Sequence, residues 1–124
     1  NIKHYDFSEN IDYFYQNSDA IILPTYREGT PRVLLEAMSR GTNVLCSNTI
    51  GCNHIISHNH NGILFLKKNI NDLAKKIIEY KNLSSIEKHR FSANARKFVE
   101  QNYDVNILID VYNKKINELL NDNK

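Results

Sequence analysis

The sequence predicts an α/β fold, a Rossmann-like parallel sheet with flanking helices. Two short apolar runs, Ala20–Leu23 and 43–46, are separated by a segment of helical period that ends at Gly41. Neither run shows a polar alternation, which suits strands covered on both faces, as in a parallel sheet. Strands that alternate with helical segments imply parallel pairing through crossover helices.

Taken in order, the opening 1–7 reads as the end of a strand. Ser8 is placed to cap a short helix over 9–17, where Ile11, Phe14 and Tyr15 share a face. Ala20–Leu23 is a strand ended by Pro24. Thr30 is a suitable cap and Pro31 a suitable first-turn residue for a helix over 31–40, which buries Val33, Leu34, Ala37 and Met38 in some combination. Residues 43–46 form the next strand. Gly51 opens a turn and a short helix containing Ile55 and Ile56. Asn61-Gly62 is a turn before the strand Ile63–Phe65. Three helices follow, over 70–80, 84–101 and 104–120. Ser84 with Glu87 is a capping box, and Asp104 is a good cap for the last helix. Three or four strands are visible, fewer than a complete doubly wound sheet usually has.

With 124 residues, the chain fits one domain, and no linker or low-complexity tract divides it. Its 41% hydrophobic and 24% charged residues are ordinary for a globular protein. A net charge of +2, with the basic residues dispersed, gives no reason to expect a nucleic-acid partner. No run approaches the roughly twenty apolar residues that span a bilayer. Cys46 and Cys52 make no disulfide framework, and a reducing cytoplasm is the natural reading.

The segment YREGTPRVLLEAMSRG concentrates the candidate chemistry. Glu28 closes the loop that leaves the first strand, and Gly29 behind it serves close backbone approach, a turn, or both. A fresh helix N-terminus follows, and Glu36 lies on that helix with seven residues between the two glutamates. Ligands of open α/β sheets bind at the carboxyl ends of the strands, and helix N-termini favour phosphate. An isolated glutamate is most often a solvated helix-face residue; here the surrounding pattern favours function.

The spacing E-x7-E, and the ordered run over 19–65 around it, resemble the donor site of retaining glycosyltransferases of the GT-B fold. The likeness is to their C-terminal, nucleotide-sugar-binding domain in group 1 enzymes. It implies that Glu36 accepts hydrogen bonds from the ribose diol. It implies that Glu28 faces the donor sugar, where it accepts from hydroxyls and stabilises positive charge. Backbone N–H groups of Gly29, Thr30, Arg32 and Val33 can point at the diphosphate or sugar, whereas Pro31 has no N–H to offer. Arg32 reads as a surface residue, a phosphate contact or a contact to another domain; Arg27 reads as a surface arginine. Tyr26 reads as packing at a strand end or as part of the cleft.

On this resemblance residues 1–124 are a single C-terminal domain lacking its first strand or strands, with the N-terminal acceptor domain absent. The last helix resembles the family element that crosses back to that domain. The expected activity of the larger chain is hexosyl transfer from a UDP-sugar, with GDP-sugars second. The acceptor is a saccharide or lipid-linked saccharide in capsule, O-antigen or other surface polysaccharide synthesis. The location is cytoplasmic, in reach of the inner membrane face, and no cofactor or metal is expected. The isolated fragment is expected to be inactive. The alternatives are a non-catalytic nucleotide-binding or interaction domain of this fold, and a nucleotide-sugar epimerase fragment; the chain has no GxGxxG fingerprint of the latter. Cys52, His54, His58 and His60 lie within nine residues, but their spacing is not a standard structural zinc pattern.

Overall fold

The computed structural model describes residues 2–122. Its elements are α1 (Ile11–Gln16), β1 (Ala20–Leu23), α2 (Arg32–Ser39), β2 (Asn43–Ser47), β3 (Ile63–Phe65), α3 (Ile70–Asn82), α4 (Ser85–Asn102) and α5 (Val105–Asp122). The three strands form one parallel sheet in the order β1-β2-β3. Ile22 pairs with Leu45, and Leu45 in turn with Ile63, so the carboxyl ends of all three strands emerge on one edge.

β2 is the centre of the core. All five of its residues are buried, and its period-2 alternation feeds two apolar clusters. Val44 and Cys46 join Leu34, Ala37 and Met38 of α2 and Ala95 of α4. Leu45 joins Ile63 and Phe65 of β3, Tyr80 of α3 and Phe91 of α4. Each fully buried Leu or Met contributes about 1.5–3 kcal/mol relative to exposure.

Helix ends follow local chemistry. α2 stops at Gly41, whose φ of +75° suits a glycine. The Gly41 N–H donates to the Met38 carbonyl and the Thr42 N–H to that of Ala37, a Schellman closure that turns the chain directly into β2. α4 starts with the expected capping box: the Ser84 hydroxyl accepts from the Glu87 N–H, and the Glu87 carboxylate accepts from the Ser84 N–H. Asp104 accepts from the Asn106 N–H at the head of α5.

Several sequence expectations need correction. No strand lies within 2–7, and Asn1 falls outside the described residues. α1 is capped by Asn10, which accepts from the Tyr13 N–H, while Ser8 instead accepts from the Asn10 N–H. Thr30 does not cap α2. Pro31 holds the cap position with ψ near +98°, so the helix begins one residue later, without a side-chain cap. Residues 51–55 are turns and not a helix, because the N–H groups of Ile55 and Ile56 converge on the single carbonyl of Cys52.

Asn61 organises the return to β3 with its side chain. Buried to 2% exposure, it accepts from the Ser57 N–H and donates to the Ile55 carbonyl. The residue after it, Gly62, lies so close to Val44 that a Cβ would stand 3.0 Å from the Val44 carbonyl oxygen. Every residue of α5 up to Asn121 is exposed, including Val105, Leu108, Tyr112, Ile116 and Leu119. Among the described residues no helix is long and apolar enough to cross a membrane.

The Tyr80 hydroxyl ties the amino ends of the strands together: it donates to the Asp19 carbonyl at 2.6 Å and accepts from the Asn43 amide at 3.1 Å. Burial is the main reason its pKa is raised. Tyr80→Phe removes this bridge and leaves buried polar groups unpaired, so a loss of about 1–3 kcal/mol is expected in urea unfolding.

The His58 ring accepts from the Leu64 N–H at Nδ1. Burial, and then the charge of Lys76, lower its pKa against the opposing pull of Glu79 and Asp72. Folding therefore favours the neutral ring. The stability His58 adds is complete above its ordinary titration near pH ~6.5 and is lost as pH falls through the lower folded-state value. His58→Asn should flatten the fall in melting temperature over that acidic window relative to the parent chain.

Candidate functional site

The loop 24–31 leaves the carboxyl end of β1 and enters α2, and it carries Glu28 and Gly29. The structure supplies a fixture for this loop that lies across the sheet. Gly51, in the turn after β2, abuts the loop so closely that a Cβ there would lie 2.2 Å from the Gly29 carbonyl oxygen and 2.5 Å from that of Glu28. Only a residue without a side chain allows the two crests to meet.

A Cβ on Gly29, by contrast, would meet nothing within 4 Å, and its φ is not in the left-handed region. The close contact between the two crests is thus allowed by Gly51. Gly29 leaves its own outward side open. The Glu28 side chain is half-buried beside it, while Arg27 and Thr30 are exposed.

α2 begins immediately after. Pro31 is buried and its carbonyl accepts from the Leu34 N–H, but no side chain caps the helix. The N–H groups of Arg32 and Val33 therefore open the helix at its positive end.

Glu36, one turn on, is 37% exposed at its side chain and held in two ways. One carboxylate oxygen accepts from the Tyr15 hydroxyl at 3.0 Å; the other lies 3.6 Å from the Arg32 guanidinium. An ionised carboxylate has about four acceptor positions, so capacity remains for further donors. Arg32 thus serves Glu36 within its own helix.

Tyr15 is a positioning residue that sequence reading took only as part of an apolar helix face. It is 2% exposed, and burial, then its bond to Glu36, raise its pKa to about 12. It therefore stays a donor throughout the neutral range. Its neighbours reinforce the junction of α1 with α2: Arg40 pairs with Asp12 and lies over the Tyr15 ring, and the Thr42 hydroxyl donates to the Tyr15 carbonyl. The available signal was the phenol itself, since a buried tyrosine needs a partner for its hydroxyl.

Tyr26 points elsewhere. It is 69% exposed, and the Lys68 amine sits 5.3 Å from its ring centroid. Both line a cavity of about 520 Å³ over the ends of the strands, floored by Ser47 and Phe65. The structure thus groups Glu28, Gly29, Thr30, Pro31, Arg32, Val33 and Glu36 along one loop and helix start, and turns Tyr26 toward β3 and α3.

The Cys52, His54, His58 and His60 set does not converge. Cys52 is buried in the core with Cys46, and His58 is engaged by β3. Among the described residues no three His, Cys, Asp or Glu side chains form a group that could hold a metal ion.

A loop at the carboxyl end of a strand that opens a helix, on a parallel sheet with flanking helices, is the architecture of the Rossmann-like α/β class. The family model for glycosyl transferases group 1 matches residues 1–98. The chain belongs to this family, and its fold is that of the C-terminal half of a GT-B glycosyltransferase.

Among curated relatives, an N,N'-diacetylbacillosaminyl-diphospho-undecaprenol alpha-1,3-N-acetylgalactosaminyltransferase of Campylobacter jejuni is 34% identical over 102 residues, covering 80% of this chain and 26% of the relative. A capsular polysaccharide biosynthesis glycosyltransferase, CapM, of Staphylococcus aureus is 26% identical, covering 90% and 29%. The structure of Anabaena HepE in complex with UDP-glucose matches with a TM-score of 0.76 at 25% identity, over 94% of this chain and 31% of that one. The chain therefore spans between a quarter and a third of the length of each.

Gly51→Ala should force the two crests apart. The expected outcome is a shift of the Glu28 and Gly29 amide resonances and a loss of more than about 1 kcal/mol in denaturant unfolding. Unchanged resonances at Glu28 would refute the fixture.

Proposed function

We propose that this chain is the donor-binding part of a glycosyltransferase. In this reading the larger enzyme moves a hexosyl group from a nucleotide diphosphate sugar to a saccharide or lipid-linked saccharide in surface polysaccharide synthesis, with retention at the transferred carbon. The carrying observation is the union of an uncapped helix start with two placed carboxylates, one fixed through Gly51 and one through Tyr15.

Glu36 accepts from the ribose diol with the acceptor capacity that Tyr15 and Arg32 leave free. The diphosphate lies at the start of α2, where the N–H groups of Gly29, Thr30, Arg32 and Val33 and the helix dipole favour negative charge; Pro31 contributes none. As the sugar–phosphate bond breaks, that dipole stabilises the charge on the leaving diphosphate. Glu28 faces the sugar, accepts from its hydroxyls and stabilises the positive charge that develops on the ring; it forms no covalent intermediate in this scheme.

A UDP-sugar is the preferred donor and a GDP-sugar the second choice. The HepE complex with UDP-glucose supports the first, and the name of the Campylobacter relative supports a lipid-diphosphate-linked acceptor. In this reading the acceptor binds outside these 124 residues, the enzyme works at the cytoplasmic face of a membrane, and no cofactor takes part. The 124 residues alone bind nucleotide without turnover.

Titration of UDP and GDP into the isotopically labelled chain tests this. UDP should shift resonances from Gly29 to Glu36, and Glu36→Ala should weaken it at least about tenfold, the scale of a lost hydrogen bond to a charged group. Equal affinity of the variant and the parent would overturn the ribose assignment.

A further inference from the structure

We infer that the cavity over the carboxyl ends of the three strands is a second subsite, which binds a saccharide ring carrying a negative charge. The cavity lies on the β3 side of the Glu28 loop, away from Glu36. Its volume of about 520 Å³ is in the usual range for small-molecule sites.

Its lining has two characters. Phe65, 4% exposed, and Leu73 make an apolar wall suited to the C–H face of a pyranose. Ser47 and Tyr26 supply a hydroxyl and a phenol, and Asn69, whose amide oxygen caps α3 by accepting from the Asp72 N–H, supplies an amide NH2 donor, groups that sugar hydroxyls require. Ser47 is 2% exposed yet lines the cavity, and its hydroxyl has no hydrogen bond among the described residues. Its hydroxyl can donate to or accept from a polar atom of a ligand in the cavity.

The charge preference comes from Lys68. It is the single charged residue in the lining, and it forms no ion pair with a carboxylate among the described residues. Its backbone is left-handed, with φ +59°, a conformation that favours glycine and asparagine over lysine. This turn accompanies the placement of the amine over the Tyr26 ring at the cavity mouth. An ammonium held there, with no anion of its own, suits a carboxylate or phosphate on the entering sugar.

Tyr26 stands two residues before Glu28 on the same loop. If the donor reading holds, an occupant of this cavity meets the loop that also carries Glu28. The charge is then that of a sugar acid or of a sugar phosphate.

The test titrates the labelled chain with glucose 1-phosphate, glucuronate, methyl α-glucopyranoside and inorganic phosphate, with UDP in parallel. At least one anionic sugar should shift Tyr26, Ser47, Lys68 and Asn69. The neutral glycoside and inorganic phosphate should each bind at least about tenfold more weakly. The tighter of the two anionic sugars identifies the charge as phosphate or carboxylate.

Lys68→Gly keeps the left-handed backbone without strain and should erase the preference for the charged sugars. Equal binding of charged and neutral sugars, phosphate alone binding as tightly, or no shifts at all would each overturn the inference. UDP binding without a response to the sugars defeats the subsite and leaves the donor reading standing; the reverse result defeats the donor reading and leaves the subsite.

Discussion

The contact of Gly51 with the Glu28–Gly29 backbone is the constraint on which the site depends. β1 and β2 are parallel neighbours, so the loops that leave them rise side by side. A side chain at Gly51 would push the Glu28 carbonyl away from the crest. The contact holds because β2 is locked beneath it by burial of all five of its residues. Core packing is thus transmitted through one short turn to the position of a half-buried glutamate.

The molecule divides its labour between the two ends of the sheet. At the amino ends of the strands, the Tyr80 hydroxyl joins Asp19 to Asn43, so that end is closed by interactions within the protein. At the carboxyl ends, an uncapped helix start, an open side at Gly29 and a cavity over Ser47 and Phe65 leave polar groups available. That asymmetry is what parallel sheets provide in general, because helix N-termini gather where strands end.

Glu36 has a structural role that leaves room for the binding role proposed for it. Tyr15 and Arg32 orient the carboxylate, and the Tyr15 bond holds α1 against α2, without using all of its acceptor capacity. Burial, then the bond to Glu36, raise the pKa of Tyr15, so its phenol is protonated and donates at neutral pH.

Local signals were enough for much of the fold. The apolar runs of β1 and β2, Gly41 after α2 and the Ser84–Glu87 capping box act over a few residues, and each element formed where its signal stood. They failed where a neighbour competed. Asn10 displaced Ser8 as the cap of α1, and the extended backbone of Pro31 moved the start of α2 past Thr30. The helix that bears Glu36 and the loop before it that carries Glu28 and Gly29 were legible from the local sequence. The partners that aim them were not, because those contacts cross long stretches of chain. Tyr15 meets Glu36 over 21 positions, Gly51 meets Glu28 from the next crest, and Lys68 meets Tyr26 from beyond β3. By itself the sequence determined the order of elements, the sheet class and the residues at its crest. The tertiary structure decided which of them touch, since burial and close approach depend on how distant segments pack together and not on the local periodicity that shapes each one.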